Sequence, residues 1–384
     1  MGTSMNFKNA SLVLGILLLT SGAWAGGQFS LGATYDGWNT NYAAPAQDSG
    51  YEVYVPIEIS YRLVPELNFY GQGEFMSAND TYTTNGSTVG TYTLSNLSDT
   101  VLGGELNFKT FSLNSIFNAA VNIPTGDTTW NTKEQSSIPP TQFIDSRYSG
   151  RGLGLSAFYG LSMPAGRGEY SAGVGYLYSG AFNPSYGTVT QVNSLQLGDA
   201  VFLALNRVTP FQNEQNEIIR LSVYYSLPTY ENGQVFYQLG TNFNASYSWN
   251  DAKAFSFELG GQYYLPSSWS YGTTTLTTES NNSNGPRIYA NLSYAFGNLT
   301  LTALGKYIFQ NGYDSTDTTY YNGGGYLAGL EPAYKIKFDG ENALKISASL
   351  NYIYANNNAV DANDNLTSTD YLFWTVTTAY EMKL

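Results

Sequence analysis

Residues 371–384, YLFWTVTTAYEMKL, decide how this chain is read. Leu372, Trp374, Val376, Thr378, Tyr380, Met382 and Leu384 fall on one face. Tyr371, Phe373, Thr375, Thr377, Ala379, Glu381 and Lys383 fall on the other. A period of two held over this whole stretch is a strand signal. Soluble strands run to about 5–6 residues, whereas a tilted membrane strand needs about 9–11.

The alternation recurs upstream. Val53, Val55, Ile57, Ile59, Tyr61 and Leu63 alternate with Glu52, Tyr54, Pro56, Glu58, Ser60 and Arg62. Leu344, Ile346, Ala348, Leu350, Tyr352 and Tyr354 alternate with Lys345, Ser347, Ser349 and Asn351. The pattern predicts sixteen strands, over 28–37, 51–63, 66–78, 98–109, 111–123, 148–162, 168–181 and 194–207. The second half follows at 216–227, 234–249, 253–265, 286–296, 298–310, 324–338, 342–356 and 368–384. Connections alternate between short turns and longer Asn/Thr/Ser/Gly-rich loops at 38–50, 79–97, 124–147, 182–193, 266–285, 311–323 and 357–367; the turn near 228–233 is a short exception. Short turns at one rim and long loops at the other are the layout of an antiparallel up-and-down transmembrane β-barrel. Lipid offers no partner for an open edge, so such a sheet must close. About sixteen strands are expected, with roughly 14 or 18 as the neighbouring even counts.

Composition narrows the chemistry. The chain of 384 residues has no Cys and no His, which removes disulfides, thiolate and Ser-His-Asp catalysis, and most transition-metal centres. No cofactor and no enzymatic activity are expected. A formal charge of −13 argues against a nucleic-acid partner. Charged residues are only 12% of the chain, about half the usual soluble share. At the start, Lys8, the apolar run 12–19 and Ala23-Trp24-Ala25 have the form of a signal peptide cleaved after residue 25. The run is too short to span a bilayer. Residues 26–384 are then a single barrel with no room for a second domain.

With the exported start, the alternating connections and the amphipathic last strand in view, the chain resembles a Gram-negative outer-membrane porin. The resemblance implies an outer-membrane location, contact with lipid and lipopolysaccharide, and recognition of the last strand by the barrel-assembly machinery. It also leaves a homotrimer open. Porins usually end in Phe, where this chain ends in Leu384. The acidic Gly-containing motif of enterobacterial constriction loops has no counterpart. Asn122-Ile123-Pro124-Thr125-Gly126-Asp127 resembles the N-x-P-T-G-D turn of barrels grouped with phenol-degradation pathways, although Pro-Thr-Gly-Asp is a good turn in its own right.

If apolar positions face lipid, their alternates line a lumen. The expected pore-lining charges are Asp36, Glu52, Glu58, Glu74 and Glu105 from early strands, and Glu169 and Glu258 from the middle. Arg220, Lys306, Lys335, Lys337 and Lys345 form a basic set, mostly late, with Glu331 among them. Acidic and basic sets fall in different sectors, which would set up a transverse field; the plainer alternative is solvated charges and local ion pairs worth about 0–1 kcal/mol each. The longest loop, 124–147, carries Asp127, Lys133, Glu134 and Asp145 as constriction candidates, with a surface loop as the alternative. Asp361, Asn363 and Asn365 open a calcium-loop pattern that Leu366 breaks, so no metal is expected. The leading expectation is passive diffusion of small hydrophilic solutes or ions. The alternatives are a substrate-specific channel for small organic compounds, or an adhesin-like surface barrel with an occluded lumen.

Overall fold

The computed structural model describes residues 26–383, except 43–45, 85–86, 127–128, 131–151, 184, 187–193, 211–214, 239–240, 252–253, 265–267, 272–273, 277–285, 310–320, 339–341 and 361–365. Sixteen antiparallel strands form one closed barrel, and no helix occurs among the described residues. The first eight are β1 Gly27–Tyr42, β2 Ala46–Val64, β3 Leu67–Thr84, β4 Ser87–Leu97 continued by Thr100–Thr110, β5 Leu113–Ile123, β6 Gly154–Ala165, β7 Gly168–Ser179 and β8 Ala200–Pro210. The rest are β9 Asn216–Ser226, β10 Asn242–Asn250, β11 Phe255–Tyr264, β12 Arg287–Phe296, β13 Leu299–Ile308, β14 Tyr321–Lys337, β15 Ala343–Val360 and β16 Leu366–Lys383. Each strand pairs with its sequence neighbours. Closure comes from β1 on β16, in register from Gln28 opposite Lys383 to Tyr42 opposite Thr369.

The two parts of β4 lie on the same partner, with Leu97 opposite Phe75 and Val101 opposite Gln72. The break between them is filled by side chains. Ser98 Oγ accepts from the Glu74 N–H at 2.9 Å, and the Asp99 carboxylate accepts from Asn122 Nδ2 at 2.7 Å and the Gly126 N–H at 3.1 Å. Asp99 thereby ties β4 to the root of the longest loop.

Three expected loops prove to be mostly strand. Hairpins β1–β2, β3–β4 and β15–β16 continue through much of 38–50, 79–97 and 357–367. Their Thr and Tyr residues suit a sheet, but these segments carry no apolar alternation, so the pattern hid them. Elsewhere the expected strands start late: β6 begins at Gly154 and β8 at Ala200. The segment expected at 234–249 is split, and Gln234–Gln238 belongs to a separate small sheet with Ala181–Phe182, Leu195–Gln196, Thr229–Glu231, Ser268–Tyr271 and Thr274–Leu276. Asn232 and Gly233, at φ +50° and +77°, make the tight hairpin turn of that sheet.

Apolar side chains cover the outside. Leu203, Leu221, Leu259, Leu292, Leu330 and Leu350 are all exposed, Leu259 and Leu350 at 55%. A continuous exposed apolar band around a closed sheet belongs in lipid, not in water. Aromatic residues border it. Tyr61, Phe108, Tyr247, Trp249, Phe296, Phe338 and Tyr380 sit at the short-turn rim, and Tyr35 stacks on Tyr51 nearer the other rim, with ring centroids 5.8 Å apart. On β14 the outward tyrosines Tyr326 and Tyr334 bracket Leu330. Their separation is about 26 Å along the strand, or about 20 Å along the axis at ordinary barrel tilt. That matches the height of a hydrocarbon band between two interfacial girdles.

Candidate functional site

The candidate site is the inner wall. Which face is concave follows from contacts between strands that are not neighbours. Arg220 on β9 approaches Glu258 on β11 to 3.9 Å over β10, and Tyr70 on β3 donates to Asn118 on β5 at 3.1 Å over β4. Strands two apart are separated by about 9–10 Å, and their side chains converge only on the concave side. Register then places every charge expected on the strands' lumen side on that face. Asp36 lies opposite Glu52, Glu58 opposite Ser30, Glu74 opposite Pro56, and Glu105 opposite Asn118. Glu169 lies opposite Val208, Lys306 opposite Tyr289, Lys335 opposite Lys345, and Lys337 opposite Ala343.

Seven of these charges fall into three groups. Asp36 and Glu52 are directly opposed carboxylates, and the Thr375 hydroxyl donates to Asp36 at 2.6 Å. Below them a recess between β1, β2 and β3 is lined by Gln28, Ser30, Glu58, Ser60, Tyr70 and Gln72. Lys335 and Lys345 form the corresponding like-charged pair on β14 and β15. Directly opposed like charges cost stability on a sheet, so their presence here is not explained by folding. The third group is self-neutralised. Arg220 faces Glu258 and donates to Ser248 Oγ at 3.3 Å, while Tyr289 donates to Glu258 at 3.3 Å. With side chains 48% and 32% exposed, this ion pair contributes about 0–1 kcal/mol.

The sectors are not opposite each other. Only β16 separates the lysines of β14 and β15 from Asp36 on β1, so the acidic and basic walls adjoin. A field between them runs along the wall near the β16–β1 seam rather than straight across the lumen. Asp127, Lys133, Glu134 and Asp145 lie outside the described residues, as do residues 1–25 and Asp361, Asn363 and Asn365.

Exposure also changes along the axis. Toward the short-turn rim, inner-face Glu58, Gln72, Arg220, Lys335 and Lys345 are exposed. Toward the long-loop rim, inner-face Trp38, Tyr54, Met76, Ile353 and Phe373 are buried, Met76 to 1% and Ile353 to 0%. A side chain on the inner wall of so wide a barrel would keep its tip in water unless other atoms of the chain lay against it. These buried residues lie on the neighbouring strands β15, β16, β1, β2 and β3 and form one packed sector of the wall.

Sequence reasoning missed a recurring inner-wall device: an aromatic ring laid over a glycine of the next strand. A Cβ on Gly50 would collide with Trp38, one on Gly103 with Tyr70, one on Gly260 with Tyr289, one on Gly173 with Phe158 and one on Gly175 with Phe202. The only advance signal is glycine at inner-face positions within strands, as in Gly173 and Gly175 of Ala172-Gly-Val-Gly-Tyr176.

No protein-family model and no curated protein matches the chain. Solved structures are similar to it over most of its length. Pseudomonas aeruginosa OpdQ is 12% identical, with 93% of this chain and 98% of that one covered at a TM-score of 0.49. Pseudomonas aeruginosa OccK7 (OpdD) is 13% identical, with 94% and 100% covered at 0.47. A Pseudomonas aeruginosa FadL homologue is 9% identical, with 92% and 90% covered at 0.44. Identities and scores at this level say nothing about solute or site residues.

Proposed function

We propose that this protein is an outer-membrane porin, a water-filled channel for passive diffusion of small hydrophilic solutes or ions. The observation that carries the reading is the closed sixteen-stranded wall, apolar and exposed outside, charged and hydroxyl-rich inside. Barrels of about eight strands are filled by their own side chains, whereas about sixteen leave an aqueous interior. In this reading Asp36, Glu52, Glu58, Glu74, Glu105, Glu169, Glu258, Arg220, Lys306, Lys335, Lys337 and Lys345 line the pore and set ion preference. Weak, exchangeable contacts suit conduction, because a tight site would trap the solute. Residues 1–25 act as the cleaved export signal, and the last strand addresses the chain to the barrel-assembly machinery. Lipopolysaccharide surrounds the long-loop rim, and three copies can share a trimer. A passive conduit needs no catalytic group.

The burial of Trp38, Met76, Ile353 and Phe373 favours a restricted channel over a wide one. Liposome swelling tests both points. Vesicles holding the folded protein should swell fast in glycine or arabinose and progressively slower in larger sugars. Equal, protein-independent swelling in all of them would remove the diffusion-channel reading and favour a surface barrel with a closed lumen.

A further inference from the structure

Phe158 on β6 and Phe202 on β8 project over β7 from either side, inside the barrel. Their ring planes are 2° apart and their centroids 5.7 Å apart. The end of the Phe158 ring crowds Gly173 and that of Phe202 crowds Gly175, so that a Cβ on either glycine would collide with Phe158 Cζ or Phe202 Cζ. Parallel rings with centroids this close cannot share one plane, so the two overlap as an offset stack pressed against the glycines. The pair forms an aromatic ledge on the wall, partly open to the lumen. Both rings are half-buried, as expected when one face is covered. Inner-face Ile116, Leu177 and Ala204 continue the apolar surface, and Tyr224 stands opposite Phe202.

This sector spans β5–β9 and holds the inner-face charges Glu169 on β7 and Arg220 on β9, each nearer the short-turn rim than the rings. Lumen side chains that only needed to keep water in would be Ser, Thr or Asn, as they are on β10 at Asn242, Asn244, Ser246 and Ser248. Two stacked rings, with two glycines clearing the space against the wall, create an aromatic surface in this sector of the lumen. We propose that Phe158 and Phe202 form a stacking floor that selects small, planar aromatic solutes carrying a polar head. The aromatic ring lies on the floor while the head stays in water. No charged group joins the floor itself, so it reads the flat ring rather than a charge. The proposal rests on the channel reading above and deepens it.

Current block in planar bilayers tests it, with neutral probes of matched head group: benzamide, its non-planar analogue cyclohexanecarboxamide, and methyl glucoside. In the wild-type full chain, benzamide should half-block the current at about one fifth of the concentration needed for cyclohexanecarboxamide. In Phe158→Leu/Phe202→Leu the ratio should fall to about one, while Phe158→Tyr/Phe202→Tyr should keep it. Heat-modifiable mobility confirms that each variant is folded. The proposal is overturned if the conducting wild type shows no such ratio, or if the ratio survives in the leucine pair. It is also overturned if methyl glucoside blocks in the phenylalanine-dependent way instead, since the floor would then read pyranoses. A folded protein without conductance sinks the channel reading but leaves the floor decidable. Saturation-transfer NMR should then show benzamide ring protons receiving magnetisation from the wild type and not from the leucine pair, and equal transfer or none refutes the floor.

Discussion

Leu350→Arg and Ser349→Arg place the same charge one residue apart on β15, and the structure predicts opposite outcomes. Leu350 points outward at 55% exposure and is in register with Leu330, which lies between Tyr326 and Tyr334 on β14. It therefore sits near the middle of the apolar band. An arginine at the midplane on the lipid face of a barrel costs about 2–4 kcal/mol. That corresponds to about thirty-fold to several-hundred-fold in the folding equilibrium. Ser349 points inward, opposite Thr375. A guanidinium there stands in water near Glu331, which follows Leu330 on the inner face, and should cost under about 1 kcal/mol. The assay is reversible guanidinium unfolding of the protein in lipid vesicles, followed by tryptophan fluorescence. Equal costs, or a larger cost at 349, would refute the assignment of faces on which everything else rests.

Three further expectations are sharp. Lys335→Gln/Lys345→Gln should shift the reversal potential in a salt gradient toward cation preference, and Glu52→Gln/Glu58→Gln should shift it the other way; a shift of one sign from both pairs would refute the wall assignment. Arg220→Ala should change stability by no more than about 1 kcal/mol, because its partner is 3.9 Å away and both groups meet solvent; a much larger loss in the same unfolding assay would mean the pair is desolvated. Asp99→Ala leaves the Gly126 N–H without its acceptor and Asn122 Nδ2 with only the Gly152 carbonyl, so it should cost about 1–3 kcal/mol and speed proteolysis just after Gly126, whereas unchanged cleavage would show that the loop root is held by other contacts.

Much of this architecture is legible in the sequence because a membrane imposes the alternation on every strand. The exterior of β15 must be apolar at Leu344, Ile346, Ala348 and Leu350, so Lys345 and Ser349 have only the lumen left. The same constraint gave the strand number. Where lipid stops, the signal stops too: β3 and β4 continue past Asn79 through Thr- and Tyr-rich sequence that alternates in nothing. The aromatic floor was hidden for a different reason. Around Phe158 both Ala157 and Tyr159 are apolar, so a period of two cannot say which face the ring takes. Its position over Gly173 depends on the register of β6 with β7, which no local pattern states. The adjacency of the two charged walls was likewise invisible until β16 closed on β1, since residues 36 and 345 are far apart in the chain.

Single-channel recording of the purified, heat-modifiable protein in a planar bilayer tests the central claim most directly. Discrete, stable steps on the order of a nanosiemens or somewhat below in molar salt are expected of a sixteen-stranded barrel. A folded, inserted protein that passes no current would contradict that claim.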